Sequence, residues 1–214
     1  MNKLEITWQD DHESSFPYEW LMERNFSIEN REEYLKNFYR PERKLWGKEG
    51  FIKILKTFEF QEVIDNDEVL MKWLEALSVN GIAILKNTPS TIEEVKRLGE
   101  RVRFIKKTHY GDDFVVQAKS TTSTFAYTTA ALPFHTDVPY YDYMPCINLL
   151  HCLVQSESHG GRNTVVDAFY VASLMKKHYP EFYKVLTTVK VNWSDIGDDG
   201  GREYYFIYRA PVFK

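Results

Sequence analysis

Cysteine is scarce in this sequence, and its scarcity excludes one large class of proteins. Cys146 and Cys152 are the two cysteines among 214 residues, and they do not form a Cys-x-x-Cys pair. Small secreted domains that depend on a disulfide framework are therefore excluded, and a reducing compartment is expected. We predict a cytoplasmic protein, with the mitochondrion as the alternative compartment.

Long apolar runs and a surplus of positive charge are also missing. No stretch approaches the roughly 20 apolar residues that a membrane-spanning helix needs. The acidic first fifteen residues carry neither a signal-peptide core nor an arginine-rich transit pattern. Because the net charge is −4, we do not expect a nucleic acid as the main partner, and the lack of a long apolar run argues against a membrane.

The chain has enough apolar residues to build a core. Of its residues 43% are hydrophobic and 15% are aromatic, which is typical of a packed globular protein rather than a disordered one. Most of the aromatic side chains are expected to pack in the core or between strands. The length suits one large domain, or a small domain with part of a second.

Two units are predicted along the chain. Residues 1–55 are expected to be a partial small domain, with a strand in LEITW and a charged helix that ends near Pro41. Residues 56–214 are expected to form a second, incomplete domain.

The second unit is predicted to begin with helices around one strand. Apolar spacing over residues 67–81 predicts a helix that Gly81 ends, and the next residues, GIAILKN, favour a buried strand. Ser90 and Glu93 form a capping-box pattern ahead of an amphipathic helix.

After residue 113 the pattern changes to short strands separated by turn residues. The predicted strands are DFVVQAK, FAYTT, INLLHCLV, NTVVD and, last, YYFIYRAPVFK. This spacing favours a β-sandwich or jelly roll. A helical insertion over 168–188 has Asp167 as its cap and Pro180 at a restart. We expect the chain to stop within its own fold.

His135 and Asp137, in the stretch ALPFHTDVP, are the candidate metal ligands. Fe(II) oxygenases bind the metal with two histidines and one carboxylate, and leave the remaining positions open. A strand end followed by a turn would bring both side chains to one ion. The pair alone is weak evidence, and the alternative is a surface turn in which Asp137 caps and His135 is exposed.

Several longer motifs surround this pair. They are THYGDDFVVQ, AYT ahead of the histidine, LLHCL after the pair, GGR and VVDAFY before the helix, and NWSDIGDD. Together they resemble the γ-butyrobetaine and trimethyllysine dioxygenases, the carnitine-synthesis branch of the taurine-dioxygenase-like oxygenases. The resemblance covers essentially the whole chain, and NWSDIGDD is closer to the γ-butyrobetaine enzymes.

The resemblance implies a fold and a chemistry. The fold would be α+β, mainly β, with a double-stranded β-helix (jelly roll) core and flanking helices. The reaction would be hydroxylation of a small trimethylammonium substrate, γ-butyrobetaine to carnitine, with Fe(II), 2-oxoglutarate as co-substrate and ascorbate. His135 and Asp137 would bind the metal, and Leu150 would line the co-substrate pocket. A homodimer of the complete protein is a further expectation.

The family's aromatic substrate cage falls on Tyr110, Phe114 and Tyr127, with Val138 beside it. A trimethylammonium group has no N–H, so aromatic faces must bind it through cation–π attraction. Phe114 replaces a tryptophan and Val138 replaces an aromatic residue, and both changes weaken the cage. Three further tyrosines are candidates to compensate, or else packing residues: Tyr140, Tyr141 and Tyr143.

His12 falls where the family's N-terminal domain supplies one histidine to a structural zinc. The other three ligands of that site are cysteines, which this chain lacks in the region. One histidine cannot close a tetrahedral site. We therefore expect no structural zinc, and an exposed His12.

The third iron ligand is expected outside these 214 residues. His151, His159 and His178 do not match the family's distal His-Gly-Arg-like context, and the arginine that binds 2-oxoglutarate is missing as well. The chain as given is therefore predicted to be inactive. Two alternatives stay open: a trimethyllysine dioxygenase, and a catalytically dead jelly roll that serves as a binding module.

Overall fold

The computed structural model describes residues 3–39, 41–118, 125–157, 161–199 and 201–214. Over these ranges the protein mixes helices with three two-stranded sheets. The three strand pairs are separate, and no closed barrel forms among the residues described. Within the same ranges no helix is long and apolar enough to cross a membrane.

The N-terminal residues form a hairpin followed by two helices. Strands β1 (Lys3–Thr7) and β2 (Glu13–Pro17) pair antiparallel. Helix α1 is Tyr18–Glu23, and α2 is Ile28–Phe38. The Ser27 side chain accepts a backbone hydrogen bond from the first turn of α2, which satisfies one of its unpaired N–H groups. The predicted strand and charged helix are confirmed, whereas β2 and α1 were not predicted.

The next segment ties distant parts of the chain together. The indole N–H of Trp46 donates to the Asn80 carbonyl at 2.9 Å, and the backbone N–H of Trp46 donates to Asp167 Oδ2 at 3.0 Å. Helix α3 (Lys48–Ile54) follows, and the Asn80 side chain donates to the Ile54 carbonyl at 3.1 Å. The predicted domain boundary at residue 55 stays a prediction.

A parallel strand pair and two helices form the next unit. Strand β3 (Lys56–Glu59) leads into α4 (Phe60–Asp65) and α5 (Asp67–Asn80), after which β4 (Ala83–Lys86) pairs parallel with β3. Gly81 ends α5 at a φ of 75°, a left-handed conformation that glycine adopts without strain. The predicted helix and its glycine stop are confirmed.

The buried core lies where these helices meet α6 (Glu93–Val102). Phe60, Val63, Trp73 and Leu98 form its centre. Leu149, from a later irregular segment, packs against this cluster. The core therefore anchors a stretch of chain that lies close in sequence to the candidate site.

Two details of this region differ from the prediction. The capping box is not formed, because α6 begins only at Glu93, and its cap residue Ile92 makes no side-chain hydrogen bond. Thr91 instead donates from its hydroxyl to Glu94 at 3.3 Å. Strand β4 is half-buried rather than buried, because it has a single strand partner and alternate side chains face solvent.

Four predicted strands are not formed where the structure describes them. Residues 113–118, 147–154 and 163–167 are irregular, and Phe125–Tyr127 is a turn of 3₁₀-helix within 125–129. Lys119 lies outside the described residues. A strand persists through hydrogen bonds to a neighbouring strand. Within the described ranges these segments have no neighbouring strand to pair with, so they stay irregular although their apolar residues alternate.

The C-terminal part contains two helices and a hairpin. Asp167 caps α7 (Ala168–His178) by accepting from two backbone N–H groups, and Pro180 begins α8 (Pro180–Thr188). Strands β5 (Val191–Asp199) and β6 (Arg202–Ala210) then pair antiparallel over their whole length. The cap and the restart are confirmed, and the last predicted strand is confirmed as far as Ala210, whereas residues 211–214 are irregular.

Candidate functional site

The structure brings His135 and Asp137 together. Nε2 of His135 lies 3.5 Å from Oδ1 of Asp137, and the two side chains are 51% and 58% exposed. Residues 131–140 contain no strand, so the expected strand end is wrong. An irregular turn, rather than a sheet, positions the pair.

The hydrogen bond on the far side of the His135 ring fixes its proton. Nδ1 lies 2.7 Å from the Pro133 carbonyl oxygen, which can only accept. Nδ1 must therefore carry the hydrogen, and Nε2 of the neutral ring keeps a lone pair on the side that faces Asp137. Histidines that bind metals are commonly oriented in this way.

The second oxygen of the Asp137 carboxylate has its own partner. Asn148 Nδ2 donates to Oδ2 at 2.6 Å. Asn148 precedes Leu149, which packs against the core. Sequence reasoning missed this residue, although a lone amide in the apolar run INLLHCLV was a visible signal.

Directly after Asp137 the backbone takes an unusual conformation. Val138 has a φ of 47°, in the left-handed region that β-branched residues rarely enter. Its carbonyl accepts from the Tyr141 N–H at 3.1 Å, which closes a tight turn. Strain of this kind is commonly held at functional sites by the surrounding contacts.

The three predicted cage residues form one continuous set of rings. The ring centroids of Tyr110 and Phe114 lie 5.2 Å apart, and those of Phe114 and Tyr127 lie 6.2 Å apart at an interplanar angle of 82°. Tyr127 is buried and Phe114 is exposed. The second contact is the edge-to-face arrangement that aromatic pairs prefer.

Tyr110 contacts a second group of side chains, the His109 cluster, which consists of His109, Tyr140, Tyr141, Asp195 and Phe206. Tyr141 Oη accepts from the His109 backbone N–H at 3.0 Å and lies 2.7 Å from Nδ1. The His109 ring packs on Phe206 at 5.0 Å, and its Nε2 lies 3.7 Å from Asp195 Oδ2.

The His109 cluster supports the cage directly. The ring centroids of His109 and Tyr110 lie 3.9 Å apart, so Tyr110 rests on the histidine ring. Burial raises the pKa of Tyr140, and its hydrogen bond to Asp195 and the nearby Tyr110 raise it further. The phenol therefore stays neutral and donates to the carboxylate, which links the cage to hairpin β5–β6.

Comparison with protein families decides the assignment. The profile of the taurine catabolism dioxygenase TauD, TfdA family matches residues 39–214, which is most of the chain. The chain belongs to the TauD/TfdA dioxygenase family. The resemblance that the sequence motifs predict is thereby confirmed.

The individual relatives include gamma-butyrobetaine dioxygenases and trimethyllysine dioxygenases. The chain is 38% identical to gamma-butyrobetaine dioxygenase of Homo sapiens over 197 residues, which cover 92% of the chain and 50% of that protein. It is 32% identical to the mitochondrial trimethyllysine dioxygenase of Homo sapiens over 211 residues, 98% of the chain and 48% of that protein. The chain thus spans about half the length of the curated relatives it matches.

TauD/TfdA dioxygenases use Fe(II) and 2-oxoglutarate. An imidazole nitrogen and a carboxylate oxygen, as in His135 and Asp137, are suitable ligands for Fe(II). First-row divalent ions bind imidazole nitrogen and carboxylate oxygen at about 2.0–2.2 Å. Two donor atoms 3.5 Å apart can therefore share one ion. Among the residues that the structure describes, no three histidine, cysteine, aspartate or glutamate side chains gather.

The other histidines do not join the pair in the described part of the chain. His151 is half-buried, and its Nδ1 has no hydrogen-bond partner among the described residues. His178 is exposed on α7. His159 lies outside the described residues. The third ligand that a TauD/TfdA site needs stays a prediction.

Two further predicted positions lie at the surface. Leu150, expected beside the co-substrate, is 74% exposed. His12 is exposed in the turn between β1 and β2, where its backbone N–H donates to Asp10 Oδ1 at 3.3 Å. The exposure of His12 is as predicted, and the expected lack of a structural zinc in this chain stays a prediction.

Proposed function

We propose that the intact protein is an Fe(II)- and 2-oxoglutarate-dependent dioxygenase that hydroxylates γ-butyrobetaine to carnitine. The observation that carries this proposal is the convergence of His135 Nε2 and Asp137 Oδ1 at 3.5 Å in a TauD/TfdA chain. The 38% identity to human gamma-butyrobetaine dioxygenase supports the substrate. Because the chain spans half of that relative's length, the proposal concerns the intact protein.

At the metal, His135 and Asp137 would be two of three protein ligands. When bound there, Fe(II) would supply the activation of O₂, coupled to oxidative decarboxylation of 2-oxoglutarate to succinate and CO₂. The Pro133 carbonyl keeps the hydrogen on Nδ1, so in the neutral form of the ring the lone pair of Nε2 is available as a ligand. Ascorbate would serve as the reductant that keeps the iron ferrous. The exposed side chain of Leu150 would cover the co-substrate and exclude water from it.

At the substrate, Tyr110, Phe114 and Tyr127 would surround the trimethylammonium group. Each aromatic face contributes roughly 0.5–2 kcal/mol of cation–π attraction, the more so as water is excluded. The buried Tyr127 is positioned to give the larger share, and the exposed Phe114 the smaller. Hydrogen bonding cannot replace these contacts, because the quaternary nitrogen has no hydrogen to donate.

The intact fold in this proposal is a double-stranded β-helix. The family assignment supports it. A homodimer, and a cytoplasmic or mitochondrial location, are part of the same proposal.

Substrate preference tests the proposal. The intact protein, supplied with Fe(II), ascorbate and 2-oxoglutarate, is given γ-butyrobetaine or trimethyllysine, and succinate and hydroxylated product are measured. We expect the higher kcat/KM with γ-butyrobetaine. A higher value with trimethyllysine would favour the second candidate, which the 32% identity to trimethyllysine dioxygenase supports. Binding of a betaine without turnover would favour the catalytically dead module.

A further inference from the structure

The two oxygens of the Asp137 carboxylate are divided between two neighbours. Oδ1 faces His135 Nε2 at 3.5 Å, whereas Oδ2 accepts from Asn148 Nδ2 at 2.6 Å. A free carboxylate can rotate and exchange its oxygens, or offer both to one ion. The hydrogen bond to Asn148 opposes both movements.

The orientation of the Asn148 amide follows from its partner. An ionised carboxylate accepts hydrogen bonds and cannot donate, so the amide must present its NH₂ group to Asp137. A charged acceptor also makes this contact stronger than one between neutral groups.

The packing of a neighbouring residue holds Asn148 in position. Its neighbour Leu149 packs against the core of Phe60, Val63, Trp73 and Leu98. The amide is therefore carried by a segment that the folded core holds in place, although Asn148 itself is exposed. A positioning group needs such support to be of use to a metal ligand.

We propose that Asn148 is a positioning residue that restricts Asp137 to binding the metal through Oδ1 alone. This inference rests on the proposed metal site. A carboxylate that binds through one oxygen occupies one coordination position, and one that binds through both occupies two. Restricting Asp137 to Oδ1 therefore keeps a position open for the co-substrate, as a site with two histidines and one carboxylate requires.

Metal affinity tests the inference without relying on turnover. Mn(II), which is stable in air, replaces Fe(II) as the probe, and its binding to the intact protein is titrated by electron paramagnetic resonance. Asn148→Leu keeps the approximate size and removes the donor, so we expect Mn(II) affinity to fall about 10–100-fold. Asn148→Gln keeps an amide on a longer side chain and should recover part of the loss. Asn37→Leu, at an exposed asparagine on α2, is the matched control and should leave affinity unchanged.

The line shape of bound Mn(II) gives a second readout, which reports the ligand arrangement. We expect it to change in Asn148→Leu and to remain that of the wild type in Asn37→Leu. Wild-type affinity and line shape in Asn148→Leu would overturn the inference and leave the proposed function standing. A protein in which Asn148→Leu weakens Mn(II) binding, but which hydroxylates no betaine, would support the inference and refute the proposed function. Failure of the wild-type protein to bind Mn(II) would overturn both.

Discussion

At the scale of single residues, Val138 holds the least favourable backbone conformation near the candidate site. Its φ of 47° places a β-branched side chain in the left-handed region. Conformations of this kind cost about 1–3 kcal/mol. The residue directly follows Asp137, so the strain accompanies the turn that presents the carboxylate to His135.

Val138→Gly is therefore expected to stabilise the fold. Relief of the strain exceeds the extra backbone entropy of an unfolded glycine, about 0.4–1 kcal/mol, and leaves a net gain of about 1 kcal/mol. Chemical denaturation measures the free energy of unfolding. Val154→Gly is the control, because this exposed valine lies outside the left-handed region and should lose stability. A loss of stability in Val138→Gly as well would mean that the valine side chain contributes more than the strain costs.

Substitutions of the predicted cage residues should change KM for γ-butyrobetaine in opposite directions. Phe114→Trp offers a larger π face to the substrate cation, and we expect KM for γ-butyrobetaine to fall about 2–5-fold. Tyr127→Ala removes the buried ring and should raise KM strongly, while uncoupled decay of 2-oxoglutarate continues. Steady-state kinetics with and without substrate separate the two effects. An unchanged KM in Tyr127→Ala would place the cage elsewhere.

At the scale of elements, the hydrogen bond between Tyr140 and Asp195 joins hairpin β5–β6 to the irregular stretch that carries His135 and Asp137. The phenol of Tyr140 is held neutral in the folded protein, because burial and the bond to Asp195 raise its pKa above the ordinary value of 10.0. In the unfolded chain the same phenol ionises near that ordinary value. Folding therefore retains a proton that the unfolded state releases at high pH.

The sign of the resulting pH dependence follows directly. The stabilisation is complete below about pH 10 and is lost as the pH rises further, with a limiting slope of about 1.4 kcal/mol per pH unit. Tyr140→Phe should remove this part of the alkaline decline in the free energy of unfolding. Tyr205→Phe, at an exposed tyrosine of β6, should retain it. The same decline in Tyr140→Phe as in the wild type would contradict the assignment.

Sequence patterns predicted those elements whose signals are local. Helix α5 ends at Gly81 and α7 begins after Asp167 as predicted, because a left-handed cap and a side-chain cap involve only neighbouring residues. The strands expected in residues 113–118 and 147–154 failed, because alternation of apolar residues does not provide a pairing partner.

In the candidate site, too, the local pattern was predictable and the long-range contacts were not. The spacing of His135 and Asp137 was visible in the sequence, and the two side chains do meet. The hydrogen bond from Asn148 spans eleven positions in an irregular segment, so no periodic pattern marks it. The contact between Asp195 and His109 joins a hairpin to a distant loop, and such contacts depend on the tertiary fold.

At the scale of the whole molecule, the described residues bring together two candidate metal ligands rather than three. Two ligands bind a divalent ion less tightly than three, and we expect the 214-residue chain alone to form no carnitine. The chain is purified, supplied with Fe(II), ascorbate, 2-oxoglutarate and γ-butyrobetaine, and assayed for succinate and carnitine by mass spectrometry. Substrate-dependent turnover by this chain would mean that His151, His159 or His178 completes the site.

The central claim is that His135 and Asp137 bind the metal of a betaine-hydroxylating enzyme. Its most direct test is carnitine formation by the intact protein and by its Asp137→Ala variant, with Glu75→Ala on the exposed side of α5 as the carboxylate control. We predict that the wild type and Glu75→Ala each form one carnitine for each succinate, and that Asp137→Ala forms no carnitine. Carnitine formation by Asp137→Ala at the wild-type rate would contradict the account.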